Sequence, residues 1–265
     1  MQRMTPMTLT PNEKDRRLAE LIRSAGGVFI AFSAGVDSTY LLKKAHDITD
    51  DVTAVTVSSA FVPTEELDAA VSFCKAEGIR HIVMEFDPLS DSRIAANPPD
   101  RCYICKYTLF SRIKALAKEN GRHHVFDGTN ADDDGADRPG MRALEELGID
   151  SPLRDAGLTK ADIRALSKEL GLPTWDKPSL ACLATRISGP LTAETLRMTE
   201  KAEQYIRALG FIQVRVRMLG NTARIEVLPG DIQRLTEPGT SEKIYTYLRS
   251  LGYTKVSADL AGYGR

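Results

Sequence analysis

Polar and apolar positions run through the first two thirds of the chain with two alternating periods. Thr10-Pro11-Asn12-Glu13 has the form of a capping box with proline at the first helical position, and Leu18, Leu21 and Ile22 make an apolar stripe. A helix is therefore expected over 11–25, ended by Gly26-Gly27. The continuous apolar run 28–32, bounded by glycines and a polar loop, predicts a strand buried on both faces. Helical spacing follows at 37–46, 64–77 and 102–120, and strand-like runs at 52–58, 80–86 and 123–128. Strands alternating with helices predict an α/β fold with a doubly wound parallel sheet over residues 1–180. Residues 173–190 form a proline-punctuated connector carrying Trp175, Pro178, Cys182, Arg186 and Pro190. Beyond it the rhythm changes. A helix at 192–209, a hairpin of 211–218 and 222–228 around Gly220-Asn221, a helix at 239–251 and a strand at 254–260 predict a small α+β domain over 181–265.

Composition narrows the class. The 265 residues are 42% hydrophobic and 27% charged, as in an ordinary globular protein. Thirty-five Lys and Arg against 36 Asp and Glu leave a net charge of −1, which does not favour nucleic acid or an anionic membrane as partner. The densest apolar run is too short to span a bilayer, and the first twenty residues have no apolar signal core. A cytoplasmic protein with reduced thiols is expected, so its four cysteines point to metal or redox roles before disulfides.

Two segments carry nucleotide chemistry. Ser33-Ala34-Gly35-Val36-Asp37-Ser38 lies between the first strand and its helix, where backbone N–H groups converge and the helix dipole favours an anion. Gly35 allows close backbone approach, and Ser33 and Ser38 can donate from their hydroxyls. A carboxylate at Asp37 repels phosphate unless a cation lies between, which predicts Mg²⁺ bridging Asp37 to a nucleotide. Asp127-Gly128-Thr129-Asn130-Ala131-Asp132-Asp133 closes the fourth strand, beside the first at the expected switch point, and Ser58 ends the second. The hexapeptide resembles the S-G-G-x-D-S pyrophosphate loop of ATP pyrophosphatases, and 127–133 resembles the G-T-N-x-D-D segment of the same superfamily. That resemblance implies an ATP site of Ala31, Ser33, Gly35, Val36, Asp37, Ser38, Ser58, Gly128 and Thr129. Ala34 stands where the superfamily usually has glycine, and alanine fits there if its φ is negative.

The cysteines divide by context. Cys74 shares a helix face with Leu67, Ala70 and Val71 and is expected in the core. Cys102-Tyr-Ile-Cys105 opens a helix, where thiols can be acidified and can share a metal. A structural zinc needs two further ligands, with Cys182, His46, His81, His123 and His124 as remote candidates. Cys102, Cys105 and Cys182 without a clear fourth ligand suit a [4Fe-4S] cluster with one open iron, and buried or inert thiols are the alternative. Lys177 and Arg186 flank Cys182 in sequence and are expected to favour its thiolate.

Together the Ser33–Ser38 loop, Gly128-Thr129-Asn130, Asp137-Arg138-Pro139-Gly140 and the Trp175–Arg186 connector resemble the LarE family of ATP-dependent sulfur transferases, from about residue 14 onward. The resemblance implies adenylation of a carboxylate of pyridinium-3,5-biscarboxylic acid mononucleotide, release of pyrophosphate, sulfur attack and loss of AMP to leave a thiocarboxylate. It implies that Cys182 gives up its own sulfur, or that Cys102, Cys105 and Cys182 hold a cluster carrying a transferable sulfide. It further implies that Arg215 and Arg217 bind the substrate phosphate, with Glu203 and Glu226 near the site and Arg138 and Arg186 as further contacts. A homo-oligomer is expected on the same ground. The competing readings are a transfer RNA thiolation enzyme, an ammonia-using adenylating synthetase and an ATP-binding sensor.

Overall fold

A computed structural model describes residues 9–133 and 139–264. The chain runs through α1 (Pro11–Ala25), β1 (Val28–Ala31), α2 (Val36–Ile48), β2 (Val52–Ser58), α3 (Thr64–Glu77), β3 (Arg80–Glu85), α4 (Ser92–Ala95), α5 (Arg101–Glu119) and β4 (His124–Phe126). It continues through α6 (Pro139–Glu146), α7 (Pro152–Asp155), α8 (Lys160–Glu169), β5 (Ile187–Ser188), α9 (Ala193–Ala208), β6 (Val214–Leu219), β7 (Thr222–Val227), α10 (Ile232–Thr236), α11 (Pro238–Ser250) and β8 (Lys255–Ala258). Two compact units result. The first takes the described residues up to Ser58, Glu65–Glu85 and the described part of Cys102–Ser179. The second takes Ser59–Thr64, Phe86–Arg101 and the described residues from Leu180 onward.

The first unit is built on a parallel sheet of order β3-β2-β1-β4. Successive side chains of a strand face opposite ways, so an unbroken apolar run needs cover on both sides. Val28 and Ile30 of β1, Val52 and Ala54 of β2 and Phe126 of β4 join Leu18 and Ile22 of α1, Leu41 and Leu42 of α2 and Ile163 of α8. Phe29, Val55 and Val125 belong instead to a second cluster with Phe110, Ile113 and Ala117 of α5 and Leu144 of α6. The expected doubly wound α/β arrangement is present. β1 and β4 are neighbours although β2 and β3 intervene in sequence, so the strand order reverses there, the kind of switch point at whose carboxyl strand ends parallel sheets bind ligands.

The capping box at Thr10 forms, with the Glu13 carboxylate accepting the Thr10 N–H at 2.8 Å. Three helices between 139 and 169 had no counterpart in the sequence expectation. Two of them are short, but α8 carries its own start signal, a Thr159–Asp162 capping box.

The second unit holds a sheet of order β5-β6-β7-β8, antiparallel only between β6 and β7. The hairpin turns at Gly220, which has φ +57°, with Leu219 opposite Thr222. The expected strand at 211–218 starts later, at Val214, where pairing with Val227 of β7 begins; Phe211 is buried ahead of the ladder and supplied the apolar signal without belonging to it. On β6, Val214, Val216 and Met218 are buried, and Arg215 and Arg217 alternate with them. Leu196, Ala202 and Ile206 of α9 and Ile244 and Leu248 of α11 are also buried. Asn97 holds the segment before α5 in this unit: its Nδ2 donates to the carbonyls of Ile187 and Gly189, both at 2.8 Å. No described helix is long and apolar enough to cross a membrane.

Candidate active site

The loop after β1 is anchored where it leaves the strand, at Phe32. Phe32 N–H continues the ladder to Val55 at 2.9 Å, and the Phe32 carbonyl accepts from the Thr56 hydroxyl at 2.8 Å. Gly35 is the N-cap of α2 and gives its helix no side-chain cap, so the N–H groups of Val36, Asp37 and Ser38 head the helix unshielded by it. The Ser33 and Ser38 hydroxyls lie 3.1 Å apart, and Ser33 N–H donates to Ser38 Oγ at 3.3 Å. The Val36 side chain is buried in the core, and Ala31 packs against the α5 cluster, so both offer backbone only.

Gly128 closes the loop from the β4 side. A Cβ there would lie 3.2 Å from Ser38 N, so any other residue would have to push the head of α2 back by a few tenths of an ångström. The buried Thr129 hydroxyl donates to Asp127. The other Asp127 oxygen accepts from Ser151 at 2.7 Å, which anchors this turn with a buried carboxylate. Ser58 sits at the carboxyl end of β2, facing Glu85 in register.

Ala34 departs from expectation. Its φ is +53°, the left-handed region, not the negative φ on which its fit was argued. Its methyl is buried at 2% exposure within the first core cluster. The loop keeps the glycine-type conformation and alanine tolerates it, at a cost of about 1–2 kcal/mol.

Two lysines supply positive charge: Lys160, which motif reading passed over, and Lys177, which it assigned to Cys182. Lys160, at the first position of α8, pairs with Asp37, whose other oxygen accepts from Asn130 Nδ2 at 3.4 Å. Lys177 donates to the Ala34 carbonyl at 3.0 Å and to Glu66 at 2.9 Å. Lys160 could have been found from the Thr159 capping box, which fixes it at the start of a helix; Lys177 has no local signal.

The cysteines separate. Cys74 is buried, and burial pushes its thiol up to about 12, so it is an inert core residue. Cys102 and Cys105 lie three apart at the start of α5, both partly exposed, in the first unit. Cys182 caps a short turn, Leu183–Arg186, in the second unit. Among the described residues no three His, Cys, Asp or Glu side chains gather as a ready metal site. The two cations expected to serve Cys182 are engaged elsewhere, Lys177 as above and Arg186 as below.

Arg186 is the largest fully buried side chain among the described residues. Its Nε donates to Glu203 at 2.8 Å and its Nη1 to the Thr185 hydroxyl at 2.7 Å. Its Nη2 is buried without a hydrogen-bond partner among the described residues. Glu203 also accepts the Val216 N–H at 3.0 Å. Arg217 donates to both oxygens of Glu226, at 3.0 and 3.1 Å, and to the Thr185 carbonyl. Arg215 donates to the Tyr263 hydroxyl at 2.8 Å, lies over that ring and keeps a buried Nε unpartnered. Burial, then the guanidiniums of Arg186 and Arg217, hold Arg215 below the ordinary arginine value. Three guanidiniums and two carboxylates thus converge in the second unit with donors left over, an arrangement suited to an anion. Arg138 lies outside the described residues.

No family model matches the chain. It is 36% identical over 254 residues, 94% of its length and 91% of the relative's, to the pyridinium-3,5-bisthiocarboxylic acid mononucleotide synthase of Lactiplantibacillus plantarum. The chain belongs to the LarE family. A Synechocystis protein of uncharacterized function is 38% identical over 88% of both chains. More distantly, the chain is 24% identical to the glutamine-hydrolyzing GMP synthase of Aeropyrum pernix, over 76% of its own length and 44% of the synthase. The parallel sheet with helices on both faces agrees with that likeness in placing this LarE family member among PP-loop folds.

Proposed function

We propose that this chain is an ATP-dependent sulfur transferase that adenylates a carboxylate of pyridinium-3,5-biscarboxylic acid mononucleotide and converts it to a thiocarboxylate. The observation that carries the reading is the α2 head, with Ser33, Ser38 and the Lys160-neutralised Asp37, in a chain related over nearly its whole length to a synthase of the bisthiocarboxylic mononucleotide.

A carboxylate is a poor electrophile, because it is anionic and its oxygen leaves badly. The N–H groups heading α2 and the two serine hydroxyls hold the triphosphate. The substrate carboxylate attacks the α phosphorus, pyrophosphate departs, and an acyl adenylate forms. Sulfur then attacks the acyl carbon and AMP leaves. Asp37 is the residue that would hold Mg²⁺. One carboxylate would suffice, because Mg²⁺ keeps several waters, and the Asp37 oxygen not paired with Lys160 meets the Asn130 amide at 3.4 Å. The guanidiniums of Arg186, Arg215 and Arg217 bind the substrate's anionic groups, with Glu203 and Glu226 setting their orientation.

Cys182 is the residue through which sulfur passes. Cys102, Cys105 and Cys182 would hold a [4Fe-4S] cluster, which when bound supplies a coordinated sulfide as nucleophile. Their thiols suit it chemically, two at the start of α5 and one at the head of the Leu183–Arg186 turn. Its partners are then the mononucleotide and sulfide or another sulfur donor, in a cytoplasmic homo-oligomer without nucleic acid or membrane.

The test is an anaerobic reaction with ATP and the mononucleotide, reading pyrophosphate, AMP and thiocarboxylate mass. The parent should form all three. Cys182→Ala should release pyrophosphate and form no thiocarboxylate, and full turnover by that variant overturns the sulfur reading. Iron and acid-labile sulfide near four per chain, lost in Cys102→Ser, support the cluster. Iron in neither leaves the Cys182 sulfur as the donor: the acyl thioester on Cys182 then loses its Cβ–S bond by β-elimination, which releases the thiocarboxylate and leaves dehydroalanine at 182.

A further inference from the structure

The phosphate loop contains no basic side chain, and Lys160 is already committed to Asp37. One further cation reaches the loop. Lys177 Nζ lies 3.0 Å from the carbonyl of Ala34, the left-handed residue at the centre of the turn, and 2.9 Å from Glu66 of α3. The side chain is 22% exposed and that of Glu66 13%, so the pair is largely sheltered from water. The backbone under it is clamped. Arg164 of α8 donates to the carbonyls of Trp175 at 2.7 Å and Lys177 at 2.8 Å. Lys168 of the same helix lies over the Trp175 ring, 4.6 Å from its centre. The ammonium is therefore delivered to the loop by a fixed stem, and two of its three N–H groups are accounted for.

We propose that Lys177 reads the pyrophosphate end of the nucleotide: its ammonium gives a charge-assisted hydrogen bond to the β or γ phosphate of ATP, in competition with Glu66. The proposal rests on the ATP reading above. A tie that only braced the connector needs no charge beside the phosphate loop; a hydroxyl or amide would hold the Ala34 carbonyl as well. An ammonium against a glutamate is a pair that an incoming polyanion can share or displace. AMP lacks both outer phosphates and gains nothing from the contact. Lys177 would then make the site favour ATP over AMP, so that the product leaves once pyrophosphate has gone. Glu66 acts as counter-ion in the empty site and as competitor in the filled one.

Equilibrium binding of Mg·ATP, pyrophosphate and AMP to the full chain, beside Lys177→Met, Lys177→Arg and Glu66→Gln, tests this. Lys177→Met should weaken ATP and pyrophosphate by about tenfold to a hundredfold, the value of one hydrogen bond to a charged group, and AMP by no more than about twofold. Lys177→Arg should recover most of the loss. Glu66→Gln should tighten ATP a few-fold, whereas a structural brace predicts that losing either partner weakens all three ligands together. Equal losses for ATP and AMP, or a weaker Glu66→Gln, overturn the proposal. If Lys177→Met unfolds, the arginine and glutamine variants decide alone. A parent chain that binds AMP but not Mg·ATP or pyrophosphate overturns the ATP reading and this proposal together; a parent that binds ATP with Lys177→Met unchanged overturns this proposal only.

Discussion

The head of α2 and the arginine face of β6 are built on opposite principles. Around Ser33–Ser38 the donors are backbone N–H groups and two hydroxyls, and the charges that approach are already paired, Lys160 with Asp37 and Lys177 with Glu66. Around Arg186, Arg215 and Arg217 the donors are side chains, the positive charges outnumber Glu203 and Glu226, and two buried guanidinium nitrogens have no described partner. A backbone site costs little to leave empty, because its dipoles need no counter-ion. A buried arginine group is stable only while each charge is compensated. The first should therefore fail by shape and the second by charge.

The largest effect should come from charge. Glu203 is 1% exposed and holds both Arg186 and the Val216 N–H. Glu203→Ala strips a buried guanidinium of its carboxylate and a strand N–H of its acceptor, and should cost the second unit about 3–5 kcal/mol. Denaturant unfolding followed by hydrogen exchange at Val216 measures it. Glu203→Gln keeps an acceptor for the N–H while still uncovering Arg186. A loss below about 1 kcal/mol for the alanine variant would mean that the arginine face is solvated, and the contrast would collapse.

Shape decides the next. At φ +53° with a buried methyl, Ala34→Val puts a branched side chain where neither backbone nor core has room, and should cost about 2–4 kcal/mol. Ala34→Gly should fall within about 1 kcal/mol of the parent. It relieves the left-handed backbone but gives up a buried methyl and enlarges the unfolded ensemble. Thermal melts of the two variants separate backbone strain from packing.

The same division explains what could be read beforehand. The buried run at 28–32, the strand at 52–58 and the helix at 64–77 announce themselves because each shows its type in its own short stretch of sequence, through an unbroken apolar run, β-branched residues or helical spacing. The phosphate loop is legible because small residues at short spacing encode a backbone shape. The sign of φ at Ala34 was not, since alanine is allowed in both regions and only packing against the buried core selects one. Lys177 meets Glu66 across 111 residues and Arg217 meets Thr185 across 32; no local pattern encodes such pairs. The arginines therefore came from resemblance, and Lys177, expected to serve Cys182, turned out to face the phosphate loop.

Gly128→Ala tests shape at the loop itself. Its Cβ would press on a helical backbone atom, which yields less readily than a side chain. Mg·ATP should bind about tenfold more weakly, the equivalent of one weakened charge-assisted hydrogen bond, with little change in melting temperature. A loss shared equally by the mononucleotide would mean that the glycine supports the whole fold and not the α2 head.

The smallest effect is electrostatic and sits in the backbone-built region, where charge should matter least. His81 Nε2 lies 2.9 Å from the Thr56 hydroxyl, which itself donates to the Phe32 carbonyl, so the imidazole N–H donates into a chain ending one residue before Ser33. Burial holds His81 below its ordinary value of 6.5. With the folded value depressed, stability is full above about pH 6.5 and is lost as pH falls towards the folded value, because the unfolded chain takes up the proton first. The melting temperature of the parent should therefore drop between pH 7 and pH 5 more than that of His81→Gln, which keeps a donor for Thr56 and cannot titrate. Parallel curves would show that the imidazole titrates as though exposed. A difference that also appears in Mg·ATP affinity would show that acid loosens the entry to the phosphate loop through Thr56, leaving the α2 dipoles in place and displacing the strand end that aims them.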